Sequence, residues 1–256
     1  MRSVNTSPGK YFPLEIKNRS AILSPYPGEW TNFNYNGTGQ IVIMNFLRSL
    51  AMDYIDNAKY ESNLAKIRRF WNGEGRFMFS LNTSEYNYRQ NFDHDEICRL
   101  APLNIAAVDK LPGCNMPCFF PDFGTVSTAK YWGGNTFFPH DDSHDLFLEP
   151  VAKSVDEAMS ITPRAADAPD MDAAIAINLY KQVSAAMKTD KLWLRTPDFQ
   201  GTLNTASLII DQEEMMMAMY TEPEKLHQLL DRICNFLIDY FNYLKRESGN
   251  RICGNI

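Results

Sequence analysis

The chain has 256 residues, of which 45% are hydrophobic, 12% aromatic and 22% charged, a globular composition that excludes a disordered tail or a disulfide-stapled mini-protein. Twenty-five Lys and Arg against 31 Asp and Glu give a net charge of −6, and basic residues never cluster beyond pairs such as Arg68-Arg69, which argues against a phosphate-tracking nucleic-acid surface. No apolar run approaches the ~20 residues that span a bilayer, and the five cysteines are scattered and odd in number, as suits reduced thiols in a cytoplasm.

Residues 1–38 are rich in Pro, Gly, Asn and Ser and read as an irregular N-terminal arm, closed by the turn Asn36-Gly37-Thr38-Gly39. The rest, 39–256, reads as one β/α domain. Its first helix carries Ile43, Phe46, Leu47, Leu50, Tyr54 and Ile55 at three- and four-residue spacing. A second runs through Leu64, Ile67, Phe70 and Trp71 to a stop at Gly73. Arg76 to Asn82 is a short apolar run that opens into polar residues, which predicts a buried strand. Pro117 to Asp122 repeats the pattern, followed by a small helix stopped at Gly133-Gly134. Met171 to Met187 holds Ile175, Leu179, Tyr180, Val183 and Met187 on one helical face. Lys191 to Arg195 predicts a third strand, again breaking into polar residues at Thr196 to Gly201. Asp211 to Glu214 and Thr221 to Glu224 both read as capping boxes. The second opens a long helix with an apolar stripe from Leu226 to Leu244. Gly249 ends it, and Arg251 to Ile256 starts a fourth strand.

Strands separated by helices pair in parallel, because a parallel neighbour needs a crossover. Ligands of such sheets bind at the strand carboxyl ends, where the polar breaks fall. Those breaks supply the candidate residues: Asn82, Glu85, Tyr86 and Arg89 after the first strand, Asp122 after the second, Asp198 and Gln200 after the third. Asp122 and Asp198 read equally as turn aspartates, and Arg89 as a surface ion pair. His140 and His144, four apart among acids, are weak metal candidates, since a loop does not hold that spacing on one face. Cys114 and Cys118 lack the partner pair of a zinc knuckle. No nucleotide-binding glycine loop or serine-hydrolase elbow is present.

Three segments together resemble the uroporphyrinogen decarboxylase superfamily, which comprises porphyrinogen decarboxylases and cobalamin-dependent methyltransferases on a shared (β/α)8 barrel. Asp198 to Ile210, with Gly201-Thr202-Leu203 followed by Thr221-Glu-Pro-Glu224, is similar to the family's third strand, Gly-x-Thr-Leu loop and Pro-Glu helix start. Phe119-Phe-Pro-Asp122-Phe-Gly124 resembles its second strand and functional aspartate. Phe79 to Gln90 resembles its first strand and arginine-bearing loop. The likeness covers roughly residues 40–256 and implies a TIM-barrel fold of which about four strands are present, the N-terminal portion of something longer.

The resemblance assigns Asp122 a catalytic role and the other polar-break residues a substrate-binding one. Only Arg89-Gln90 matches the arginine loop that binds tetrapyrrole carboxylates in the decarboxylases, and Ala206 stands where they carry a tyrosine. The reaction implied first is therefore corrinoid-linked methyl transfer, with zinc and a corrinoid as cofactors and a corrinoid protein as partner. Arg251-Ile-Cys253-Gly-Asn255 is similar to the methyltransferases' His-x-Cys-Gly-Asn zinc motif, but with arginine in the place of histidine and at a distance from the third-strand loop that suits a fourth strand better than the later zinc strand. The zinc ligands that the resemblance implies are therefore expected beyond Ile256. Decarboxylation of uroporphyrinogen or a related tetrapyrrole acid, needing no cofactor, is the alternative. A non-catalytic relative that binds a small ligand or a partner subunit is a third reading. A small-molecule substrate, a cytoplasmic location and a homodimer complete the expectations.

Overall fold

A computed structural model describes residues 55–74, 93–110, 113–139, 146–198 and 200–253. Helix α1 (Asn57–Trp71) begins where the Asp56 carboxylate accepts the Lys59 N–H, and the chain leaves it at Gly73 in the left-handed region, φ +78°. Helix α2 (His94–Lys110) is capped in the same way by Asp93, which accepts the Glu96 N–H at 3.0 Å. Its buried face is built of Ile97, Ala101, Ile105 and Ala106. The end of α2 is tied to α1: the Asp56 N–H donates to Asp109 Oδ2 at 3.1 Å, and the Lys59 ammonium donates to the Asp109 carbonyl.

Strand β1 (Cys118–Phe119) leads to a 3-10 turn, Ala129–Trp132, closed by Gly133 at φ +96°. Then β2 (Thr136–Phe137) pairs antiparallel with β3 (Phe147–Leu148). Helix α3 (Val155–Ser160) is capped by Ser154, and α4 (Asp172–Ala186) leads into β4 (Trp193–Arg195). Three helices follow: α5 (Thr202–Ile209), α6 (Gln212–Thr221) and α7 (Pro223–Glu247). The last strand is β5 (Ile252–Cys253).

The three strands expected at Pro117, Lys191 and Arg251 form one parallel sheet in the order β1-β4-β5. Cys118 faces Trp193 and Phe119 faces Leu194; Leu194 faces Ile252 and Arg195 faces Cys253. Side chains alternate across a sheet, so Phe119 and Leu194 share one face, and both are fully buried under the helices. That layer is continuous with the α7 stripe of Leu226, Leu229, Ile233, Phe236, Leu237, Tyr240 and Leu244. Tyr131, Trp132, Phe236 and Tyr240 stack within it, with ring centroids 4.8–6.1 Å apart. The opposite face carries Cys118, Trp193, Arg195 and Cys253, all half-buried.

Three local readings differ from the sequence-based expectation. Helix α2 is not among the expected elements: Pro102 lies inside it and alanines fill its buried face, so its apolar period is faint. The β2–β3 pair adds an antiparallel element, and His140 and His144 fall between its strands, outside the described residues. Thr221 to Glu224 is not a capping box. Thr221 belongs to α6 and its hydroxyl donates to the Met217 carbonyl, while Pro223 opens α7 at the position where a missing N–H costs nothing. The Asp211 cap is as expected, its carboxylate accepting the Glu213 and Glu214 N–H groups. The expected first strand, with Asn82, Glu85, Tyr86 and Arg89, and most of the first expected helix also lie outside the described residues. No helix among the described residues is long and apolar enough to cross a membrane.

Candidate functional site

Burial alternates along Pro117 to Asp122: Pro117, Phe119 and Pro121 are buried, while Cys118, Phe120 and Asp122 are half-open. Leu192, Leu194 and Thr196 are likewise buried against half-open Lys191, Trp193 and Arg195. Period two thus puts Cys118, Phe120 and Asp122 on the same side of the sheet as Trp193 and Arg195. The Arg195 guanidinium lies over the Phe120 ring, 4.2 Å from its centroid. Trp193 Nε1 donates to the Tyr60 hydroxyl at 3.1 Å, which fixes the indole at the amino-terminal end of this face.

Asp122 leaves the carboxyl end of β1. Its Oδ1 accepts the Gly124 N–H at 3.0 Å, an Asx-type turn that Gly124 closes at φ +77°. Burial raises the Asp122 pKa, and the negative Asp198 nearby adds to the rise; the Gly124 hydrogen bond and Arg195 oppose it. Asp198 leaves the carboxyl end of β4. Its Oδ1 accepts Gln200 Nε2 at 3.3 Å, and Gln200 Oε1 accepts Asn204 Nδ2 at 3.0 Å. This run leads into the first turn of α5, whose N-cap, Gly201, has no side chain to cap the helix. Asp122 and Asp198, expected from the sequence, are therefore brought within electrostatic reach of each other at the same end of the sheet, and Gln200 holds Asp198.

Sequence reading missed three partners on this face: Arg195, Cys118 and, as a member of this cluster, Cys253. Cys118 and Cys253 approach to 3.2 Å between sulfurs, although β4 lies between their strands. The Cys118 pKa is pushed well up, first by its hydrogen bond to Cys253 and then by burial. The Cys253 pKa is lowered, first by that same hydrogen bond and then by Arg195, against the cost of burial. Either sulfur can donate to the other, and the direction of the two shifts favours the thiolate at Cys253. Alternation within each strand gives these side chains a face, but only the register across the three strands brings Cys118, Arg195 and Cys253 together.

The cluster offers an ionisable thiol, a cation, and a pair of carboxyl groups whose charges repel. Among the described residues no three His, Cys, Asp or Glu side chains come together as metal ligands.

No protein-family model matches the chain, and no curated protein matches it either. The fold is similar to that of a solved methyltransferase from Methanosarcina mazei, with a TM-score of 0.50 at 12% identity. The likeness covers 71% of this chain and 55% of that one, so the chain spans about half the length of its structural neighbour. The likeness is one of fold, and this chain's own architecture is mixed α/β with a parallel sheet of three strands.

Proposed function

We propose that the chain is a methyl-transferring enzyme on the β/α barrel of the uroporphyrinogen decarboxylase superfamily, with its reaction at the carboxyl ends of β1 and β4. The observation that carries this reading is the convergence of Asp122, Asp198 and Arg195 at one end of a parallel sheet whose fold resembles a methyltransferase. The register supports a barrel. From Cys118 to Cys253 the sulfur contact steps two residues along across two strands, one residue per strand, as the shear of an eight-stranded β/α barrel requires. Side chains from alternate strands then meet in one layer, which is where the two sulfurs are.

In this reading the methyl donor is a methylated corrinoid delivered by a partner protein, and the acceptor is a small thiol. Arg195 stabilises the acceptor as thiolate, since a neighbouring cation lowers a thiol pKa. Asp122, whose affinity for a proton is raised by burial and by Asp198, takes the proton that the thiol loses. The thiolate attacks the methyl carbon, and the carbon–cobalt electron pair leaves with the corrinoid. A resident catalytic zinc needs about three protein ligands, which the described donor set does not supply, so the steps assigned here are those of side chains alone.

The test is incubation of the protein with methylcobalamin and 2-mercaptoethanol, following loss of the methyl-cobalt spectrum and formation of the thioether. Asp122→Asn and Arg195→Gln are each expected to slow turnover by about 10²–10³-fold. Carbon dioxide release from uroporphyrinogen in place of methyl transfer would move the assignment to decarboxylation. No turnover of either substrate, with a stable complex to a partner subunit, would make the protein a non-catalytic relative.

A further inference from the structure

Cys118 and Cys253 have no part in the reaction proposed above, which takes its thiol from outside. Cys118 is in register with Trp193 and Cys253 with Arg195. The residue between those two, Leu194, turns its side chain to the opposite, buried face. Over Leu194 this face of β4 therefore carries no side chain, and the two sulfurs fill the gap from either side. Cys253 Sγ lies 3.6 Å from the Leu194 carbonyl and 3.2 Å from Cys118 Sγ. The central strand thus runs beneath the contact rather than between the sulfurs. Both cysteines are free thiols, half-open to the face they share.

We infer that Cys118 and Cys253 are a site of reversible oxidation, at which a hydroperoxide converts the two thiols into one disulfide between β1 and β5. A disulfide holds its sulfurs about 2.05 Å apart, so the pair closes by moving together about 1.2 Å from the contact it already makes. That movement is shared between two χ1 torsions and the two-residue strands that carry them. Reactive thiols sit in partly exposed, electropositive surroundings, whereas thiols buried among apolar groups are inert. The Cys253 pKa is lowered, first by its hydrogen bond to Cys118 and, against burial, by the Arg195 charge. Cys98 competes poorly, because burial and the charge of Asp95 raise its pKa. Cys253 is therefore the sulfur that attacks. Its thiolate takes one oxygen of the hydroperoxide, the O–O bond breaks, and the other oxygen leaves protonated as water or an alcohol. Cys118 then attacks the resulting sulfenic sulfur, the S–O bond breaks, and hydroxide departs with the Cys118 proton as water. The two thiols give up two electrons, and the hydroperoxide accepts both.

The experiment treats the reduced full chain with one equivalent of hydrogen peroxide, blocks the remaining thiols with N-ethylmaleimide in denaturant, and reads the peptides by tandem mass spectrometry without reductant. The expected product is one peptide pair joined through Cys118 and Cys253, two hydrogens lighter than its parts and separated by dithiothreitol. Cys98, Cys114 and the exposed Cys234 should carry maleimide. In Cys118→Ser the sulfenic acid has no resolving thiol, so dimedone should label Cys253; in Cys253→Ser, Cys118 should stay reduced. Sulfinic acid at Cys253 with no link, or both cysteines still reduced, overturns the assignment, and so does a link through Cys234 in its place. A link formed equally well in concentrated urea also overturns it, since proximity in the fold would then play no part. The wild-type map decides the matter even if a serine variant fails to fold. Linkage is read by mass and methyl transfer by turnover, so either can fail without the other.

Discussion

Two sulfurs 3.2 Å apart in a partly desolvated site share one proton more readily than they carry two. The asymmetry between them comes first from the hydrogen bond they share, which raises the Cys118 pKa and lowers that of Cys253, while the Arg195 charge favours the thiolate at both. A lowered pKa means the reactive form is present at lower pH, since the thiolate and not the thiol is the nucleophile. The pH at which Cys253 reaches half its maximal alkylation rate should therefore lie below that of an ordinary thiol. Cys118→Ala removes the hydrogen-bond partner of Cys253 and should move that midpoint upward, and Arg195→Gln should move it the same way. Peptide-resolved iodoacetamide labelling across pH measures it; a midpoint unchanged by both substitutions would mean that neither group acts on Cys253.

Among the elements, α7 is the one whose burial follows most directly from its sequence. Seven apolar side chains at three- and four-residue spacing become its buried face, and Leu229, Ile233 and Leu244 lose all solvent contact. Leu229→Ala leaves a void that a close-packed layer fills only in part, at a cost of about 2–5 kcal/mol. The exposed Ile238, on the same helix, should cost well under half of that when truncated. Urea unfolding of the two variants compares them directly. The same reasoning explains what the sequence conceals. Strands of two or three residues, such as β2 and β3, are too short to show a period, and α2 blunts its own with Pro102 and small side chains. Asp122 and Asp198 could be anticipated because polar residues interrupt apolar runs there. Arg195, Cys118 and Cys253 could not be read from local sequence, because only the register across three strands brings them together.

At the scale of the whole molecule, the parallel sheet depends on its central strand. β4 bonds in both directions: the Trp193 N–H donates to the Pro117 carbonyl at 2.9 Å, the Leu194 N–H to Arg251 at 2.8 Å and the Thr196 N–H to Cys253 at 3.0 Å. Those acceptors are 76 residues before and 57 residues after the amides that reach them, as the residue numbers give (193 − 117 and 251 − 194). Opening any of the three amides thus requires the sheet to part from neighbours remote in sequence, which only global unfolding does. The β2–β3 pair has no such tether, since its two strands pair with each other and Phe137 and Phe147 remain exposed. Hydrogen exchange under native conditions should find the amides of 193, 194 and 196 among the slowest in the protein, with opening free energies equal to that of global unfolding. The amides of 136–137 and 147–148 should exchange through smaller openings. If β4 exchanged as fast as the hairpin pair, the strand could not be central. The convergence of Asp122, Asp198, Arg195 and the two thiols would then lose its scaffold, because each of them is positioned by that one strand or by a neighbour bonded to it.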